Sequence, residues 1–416
     1  MPKISPEIEA FARIKVVGVG GSGKNAITHM ISKKVRGVEF IAVNSDAQDL
    51  HTVPSSKKIH IGKNLTRGLG TGMNPDLGRK AAEETIEEIQ EVLKGTDMVF
   101  ITCGLGGGTG TGAAPVIART AREAGILTVA VVTKPFYFEG AQRNKIAEIG
   151  LEELRKAVDT TIVIPNDRLL AIVDKNTTFT NAFSMCDEIL RQAVEGITDL
   201  ITMPGIINVD FADIRAVMQN AGSALMGIGS ASGENRAEEA ARTAINSPLL
   251  DISIDGAHGL LFAIAGGDDL TMLEVQDAAK IITESIDKEA RVIFGAFKDD
   301  RLKKGEIKVT VIATGFPNDS LRKSSFIQDA SKTMPFVNLL EKKKEREERE
   351  EERTKEKERE KEKEKKAINN EMPIPFQPRK VIISDKTPMA PETKKNTTPD
   401  DFDDWSAIPA FLRRKK

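Results

Sequence analysis

Two glycine-rich stretches and one pair of carboxylates are where this chain's residue types and spacing could do chemistry. The first stretch, Lys15–Ile27, reads KVVGVGGSGKNAI and fits two phosphate-binding patterns at once. Gly18-x-Gly20-x-x-Gly23 has dinucleotide-fingerprint spacing, with Asp46 downstream where an acid could meet a ribose hydroxyl. Gly18-x-x-x-x-Gly23-Lys24 fits a Walker A loop up to its last position. There Asn25 replaces the Ser or Thr that would reach magnesium, and no downstream strand clearly ends in a magnesium-binding Asp. Lys24 therefore reads as a solvated first-turn residue ahead of a phosphate grip.

The second stretch, Gly104–Gly112, reads GLGGGTGTG between the apolar run DMVFITC and the helical pattern APVIARTAREAG. Glycine at this density lets backbone N–H groups crowd round an anion, and the following helix N-terminus adds a favourable dipole. Thr109 and Thr111 add hydroxyls. A flexible linker does not belong between a buried strand and a helix, so the stretch reads as a phosphate cradle. The carboxylates are Asp210 and Asp213 in Asn208–Asp213, NVDFAD. Alone they would be an N-cap and a first-turn acid.

These groups must be positioned by a frame. IKVVGV, EFIAVN, DMVFITCG, LTVAVVTK and TTIVIPN read as buried strands. Helical patterns separate them: KNAITHMISKKV, NPDLGRKAAEETIEEIQEVLKG, APVIARTAREAG and NKIAEIGLEELRKAV. The alternation predicts an α/β fold with a mainly parallel, Rossmann-like sheet and a ligand at the strands' carboxyl ends. A long helix is expected from about Thr180 to Ile201, ended by the Pro204-Gly205 turn. DISIDGAHGLLFAIAGG, TMLEVQDAAKIITESI, ARVIFGAF and EIKVTVIATG then read as strand, helix, strand, strand of a smaller α+β module.

Composition narrows the class. The chain has 416 residues, enough for two cores, and a net charge of −2 gives no whole-chain pull toward nucleic acid or membrane. No stretch reads as spanning a bilayer, and the N-terminus lacks the apolar core of a secretory signal. Cys103 and Cys186 are too few for a disulfide framework and, with four scattered His, show no metal-ligand spacing. Every residue from Lys342 to Lys366 except Thr354 is charged, 13 basic and 11 acidic, so this run belongs in solvent as disordered chain or charged helix.

GVGGSGKNA, NSDAQDL, GLGTGMNPDLGRKAAEE, GLGGGTGTGAAPV, VVTKPFYFEG, IPNDRLL and PGIINVDFADIRAVM occur in the order of the tubulin/FtsZ GTPase family. The chain resembles that family, and its bacterial cell-division branch in particular, over nearly all of Ile14–Gly315. The resemblance implies a GTPase domain at 13–178 after an N-terminal extension at 1–12, and a central helix at 179–203. A catalytic loop and helix follow at 204–221, then an α+β domain at 222–317. A charged linker at 318–400 leads to a partner-binding peptide at 401–416.

In such proteins both glycine loops hold one GTP, with Mg2+ carried on its phosphates and no protein metal site. The resemblance assigns Gly21, Ser22, Gly23, Lys24, Asn25 and Asn44 to the first side of the nucleotide site. Family members often carry glycine at the positions of Ser22 and Lys24. Gly108, Thr109 and Gly110 fall at the phosphate centre of the second loop. Glu139 and Arg143 meet ribose and phosphate, although alone they read as an exposed i, i+4 pair. Asn166 and Asp187 face the guanine edge, and Phe183 either stacks on the base or is plain core. Asp210 and Asp213 enter the next subunit's site, making hydrolysis depend on head-to-tail polymerisation.

The implied setting is cytoplasmic filaments at mid-cell near the inner membrane face, organising the septum. Trp405, Ile408, Phe411 and Leu412 would share one helical face, and the segment IPAFLR resembles the family's short tail, which implies docking of membrane tethers and regulators such as FtsA, without membrane insertion or nucleic-acid binding. Two other readings are an NAD enzyme, which leaves the second loop and NVDFAD unexplained, and a nucleotide-binding scaffold without turnover.

Overall fold

Apolar runs bounded by Gly, Asp or Pro become strands in this chain, and the longest are buried along both faces. The computed structural model describes residues 12–170, 177–247, 254, 256–287 and 289–316. The expectations for the extension, the charged linker and the tail peptide lie outside these residues, residue 12 apart.

In chain order the strands are β1 (Ile14–Val19), β2 (Val38–Asn44), β3 (Lys57–His60), β4 (Met98–Gly104), β5 (Leu127–Lys134) and β6 (Thr160–Pro165). They continue with β7 (Gly205–Ile207), β8 (Gly222–Ser232), β9 (Gly259–Gly266), β10 (Arg291–Lys298) and β11 (Glu306–Thr314). All join one sheet in the order β3-β2-β1-β4-β5-β6-β8-β11-β9-β10-β7. Strands β1 to β6 are parallel, as the alternation predicts, and β4 shows why: Met98–Cys103 is buried at every position between two helical layers. Their order, 3-2-1-4-5-6, reverses direction between β1 and β4, the crevice where an open α/β sheet receives its ligand.

β8 extends the sheet by pairing parallel with β6 over Thr160–Ile162 and Gly222–Ala224. Within the described residues the second module holds four strands, β8 to β11, and the helices Arg236–Ile245 and Met272–Glu284. The sequence reading missed β8 and its helix. GSALMGIGSAS is rich in Gly and Ser and poor in the β-branched residues that announce a strand. Those small residues serve packing: a Cβ on Gly227 or Gly229 would stand 2.0 or 2.1 Å from the carbonyl oxygens of Ala244 and Ala240 on the covering helix.

A second correction concerns NPDLGRKAAEETIEEIQEVLKG, which forms two helices, Pro75–Glu84 and Ile86–Leu93, rather than one. Thr85 breaks the run at φ −113° and ψ 22°, its hydroxyl turned back to the Ala81 carbonyl at 3.3 Å.

The Phe179–Thr202 helix is the expected long central element. Ile189, Leu190, Ala193, Val194, Ile197 and Leu200 bury it in one core shared with Val16, Phe100 and Val129 on one side and Leu261, Ala263 and Ile312 on the other. Its buried Glu195 and Asp199 are clasped by Arg301, at 2.6 Å each, and Asp299 joins the same guanidinium at 2.7 Å. Arg301 thus ties the helix to the segment after β10, and its loss would take from Asp199 and Asp299 the guanidinium that pairs them, while Glu195 would keep Arg191.

Candidate functional site

β1 and β4 lie side by side in register, Gly18 against Thr102, so both glycine stretches emerge together. The first becomes the N-terminal turn of the Gly20–Ser32 helix and the second that of the Thr109–Glu123 helix. Neither helix has a side-chain cap, so first-turn N–H groups remain for an anion. The loops touch: Gly20, at φ +72°, brings its Cα so close that a Cβ would lie 3.0 Å from the Gly110 nitrogen. Only glycine takes that backbone conformation without cost at so close an approach.

Neighbouring strands deliver the rest at the same edge. Asn44 ends β2, and the Ser45 hydroxyl meets Thr109 Oγ1 at 2.6 Å. Thr71 bonds the same Thr109 oxygen at 2.8 Å, forming a hydroxyl chain beneath the second loop. Beyond β5, Glu139 accepts the Phe136 N–H at 2.9 Å and pairs with Arg143 Nε at 3.2 Å. Gly106 of the second loop abuts the Arg143 side chain. Beyond β6, Asn166 is buried, yet its side-chain Oδ1 has no hydrogen-bond partner among the described residues. A buried acceptor without a partner is costly to leave so.

Asn166 opens a short helix packed on the central one, which carries Phe183 and Asp187. Phe183 meets Phe136 edge-on at 5.3 Å and packs against the core, as a core aromatic does. Burial pushes the Asp187 carboxyl up to about 6, and the nearby His29 partly opposes this. Asp187 and, more weakly, Glu139 both bear on the Cys186 thiol, which burial chiefly pushes up to about 12; one neighbourhood therefore holds all three.

The folded chain holds the Asp187 proton more tightly than the unfolded chain, whose carboxyl titrates at 3.8. Stability is thus greatest below that value and falls as pH rises to about 6, where the full cost of the buried charge is reached. Asp187→Asn should melt higher than the parent near neutral pH, by about 2 kcal/mol after discounting for part exposure, and match it at about pH 4. Thermal melting across pH checks this, and a gap that widens toward acid would contradict it.

Lys24 departs from expectation. It is not solvated: its ammonium pairs with Asp49 Oδ1 at 2.6 Å and its side chain is 17% exposed. Asp49 also takes the Asn44 amide at 2.9 Å on its other oxygen. Asp46, offered above as a ribose acid, caps the Ala47–His51 helix by accepting the Asp49 N–H at 3.0 Å. Gly21, Ser22 and Asn25 are exposed, while Gly23, Gly108 and Gly110 are buried in the loop backbone. Ser45, Thr71 and Asp49 contact the loop residues Thr109 and Lys24, and sequence reasoning did not single them out, although all three lie in the motifs Asn44–Leu50 and Gly68–Glu84.

Asp210 and Asp213 are elsewhere. Asp210 caps the Phe211–Met218 helix by accepting the Ala212 N–H at 3.3 Å, and both carboxylates are exposed. That helix lies at the amino edge of the sheet. Arg215 donates to the Gly125 carbonyl ahead of β5 at 2.6 Å, Thr160 at the start of β6 bonds the Met218 carbonyl, and Arg291 at the start of β10 reaches Ala216 at 3.2 Å. The glycine loops occupy the carboxyl edge, roughly 20 Å away along the strands.

The GTPase-domain model of the tubulin/FtsZ family matches residues 13–174, and the C-terminal-domain model of the FtsZ family matches 222–317. An empty FtsZ dimer from M. jannaschii is 48% identical over 75% of this chain and 93% of that one, with a TM-score of 0.71. The chain belongs to the tubulin/FtsZ family. A point-mutant FtsZ from M. jannaschii gives 49% identity over 74% of this chain and 92% of that one, at 0.71. The GTPγS-bound protofilament of CetZ2 from Haloferax volcanii shares the fold at 23% identity, covering 77% and 98%, with a TM-score of 0.64. As a tubulin/FtsZ-family member the chain is a GTPase, and its GTPase domain binds GTP. No helix among the described residues is long and apolar enough to cross a membrane.

Proposed function

We propose that this chain is a GTP-dependent cytoskeletal protein whose subunits stack head to tail, each active site being completed by the next subunit. The observation that carries this reading is the separation of the two halves of the chemistry. The phosphate loops crown the carboxyl edge, and Asp210 and Asp213 sit on the amino edge of the same sheet. One subunit cannot bring them together, whereas a translated copy can, and repetition of that heterologous contact gives an open filament.

In this reading Gly20–Asn25 and Gly104–Gly110 hold the phosphates, Asn44 and Thr109 bound them, and Glu139 and Arg143 take the ribose side. Asn166 and Asp187 read the base, a carboxylate being suited to guanine's paired N–H donors, with Phe183 beside it. Asp210 and Asp213 of the neighbour orient the attacking water. No group of three His, Cys, Asp or Glu among the described residues could cage a metal. In this reading Mg2+ would come as an ion carried on the phosphates, where it would neutralise charge.

The division role extends this reading: cytoplasmic filaments at mid-cell near the inner membrane face, recruited by tethers such as FtsA through residues 401–416. Light scattering with GTP, run beside phosphate release over a range of protein concentrations, tests the core of it. Specific activity should rise cooperatively with concentration in step with scattering. Activity independent of concentration would place the whole site in one subunit.

A further inference from the structure

The Lys24–Asp49 pair sits where a polyphosphate would feel it. Lys24 belongs to the helix whose first turn is the first glycine loop, and Asp49 to the short Ala47–His51 helix that follows β2. A Cβ built on the exposed Gly21 would lie 3.7 Å from Asp49 Oδ2, so the carboxylate flanks the loop backbone itself. A bare carboxylate there would repel phosphate, and a bare ammonium would attract it. Paired at 2.6 Å, the two cancel.

We propose that Asp49 masks Lys24, so that the pair sets how tightly the first loop holds a nucleoside polyphosphate. This rests on the reading of Gly20–Asn25 as half of the phosphate cradle. Asn44 supports the arrangement by donating to Asp49 Oδ2, which holds the carboxylate between loop and lysine. A pair serving only to brace the fold would make both members matter in the same direction. Masking makes them matter in opposite directions.

Binding of GDP to the full chain, measured by calorimetry at low and high salt, separates these cases. Asp49→Asn keeps an acceptor for Asn44 while unmasking the ammonium, and should bind GDP roughly tenfold more tightly. Lys24→Met should bind roughly tenfold more weakly, and the double variant should return to within about twofold of the parent. Both single shifts should shrink as salt screens the loop. The proposal is overturned if both single variants weaken binding, if neither changes it, or if the shifts persist unscreened. Should Lys24→Met fail to fold, the sign of the Asp49→Asn effect alone decides. A parent chain that does not bind GDP would instead overturn the reading of the loop, and the masking role with it.

Discussion

Asp213→Ala should leave GTP binding at the parent level and lower turnover by at least roughly a hundredfold, the scale at which a positioned acid or base acts. Its fold should hardly notice. The carboxylate is exposed, and among the described residues no hydrogen bond or ion pair engages it. Asp210 differs, because it also caps the helix it precedes; Asp210→Ala should combine lost turnover with about 1 kcal/mol of lost stability. The decisive measurement mixes Asp213→Ala with a subunit that keeps its acid but has a ruined loop. Their contact pairs an intact loop with an intact acid, so phosphate release should reappear in the mixture of two silent proteins. If the acid served its own subunit's nucleotide, the mixture would stay silent.

The ruined loop is best made by Gly108→Ala. A Cβ there would stand 2.4 Å from Thr71 Oγ1, 2.6 Å from the Gly72 carbonyl oxygen and 2.9 Å from the Asn74 nitrogen. Two of these are backbone atoms that cannot rotate aside, and Gly72 also accepts the Gly108 N–H at 2.8 Å. The second loop must therefore shift, carrying Thr109 out of its hydroxyl chain with Ser45 and Thr71. GTP affinity should fall by at least roughly a hundredfold and the melting temperature should drop, as overpacking costs about 1–3 kcal/mol. Gly107→Ala is the control for folding, because a Cβ at Gly107 meets nothing within 4 Å; it should melt like the parent. Parent-level GTP binding by a folded Gly108→Ala would remove the second loop from the site.

Much of this was legible in the residues. β1, β4 and β5 announce themselves as apolar runs because burial on both faces leaves few polar positions to blur the pattern, Lys15 in β1 and Thr102 in β4 among them. The glycine loops are legible for a related reason, since backbone packed against backbone excludes every other side chain at Gly108. Reading failed where packing replaced pattern. β8 is a strand made of small residues because a helix lies almost on its backbone. Lys24 looks like a surface lysine until Asp49, 25 positions away, is brought beside it. Ser45 and Thr71 are ordinary hydroxyl residues whose meeting at Thr109 belongs to the fold and to no local spacing.

In the head-to-tail stack proposed above, the parallel course of β1 to β6 would also govern when a bound nucleotide can be replaced. In a stack of such subunits, every loop-bearing edge but the last is roofed by the next subunit's underside. Spent nucleotide inside the stack is locked in until a contact parts, and renewal is confined to the one terminus whose loops face open water.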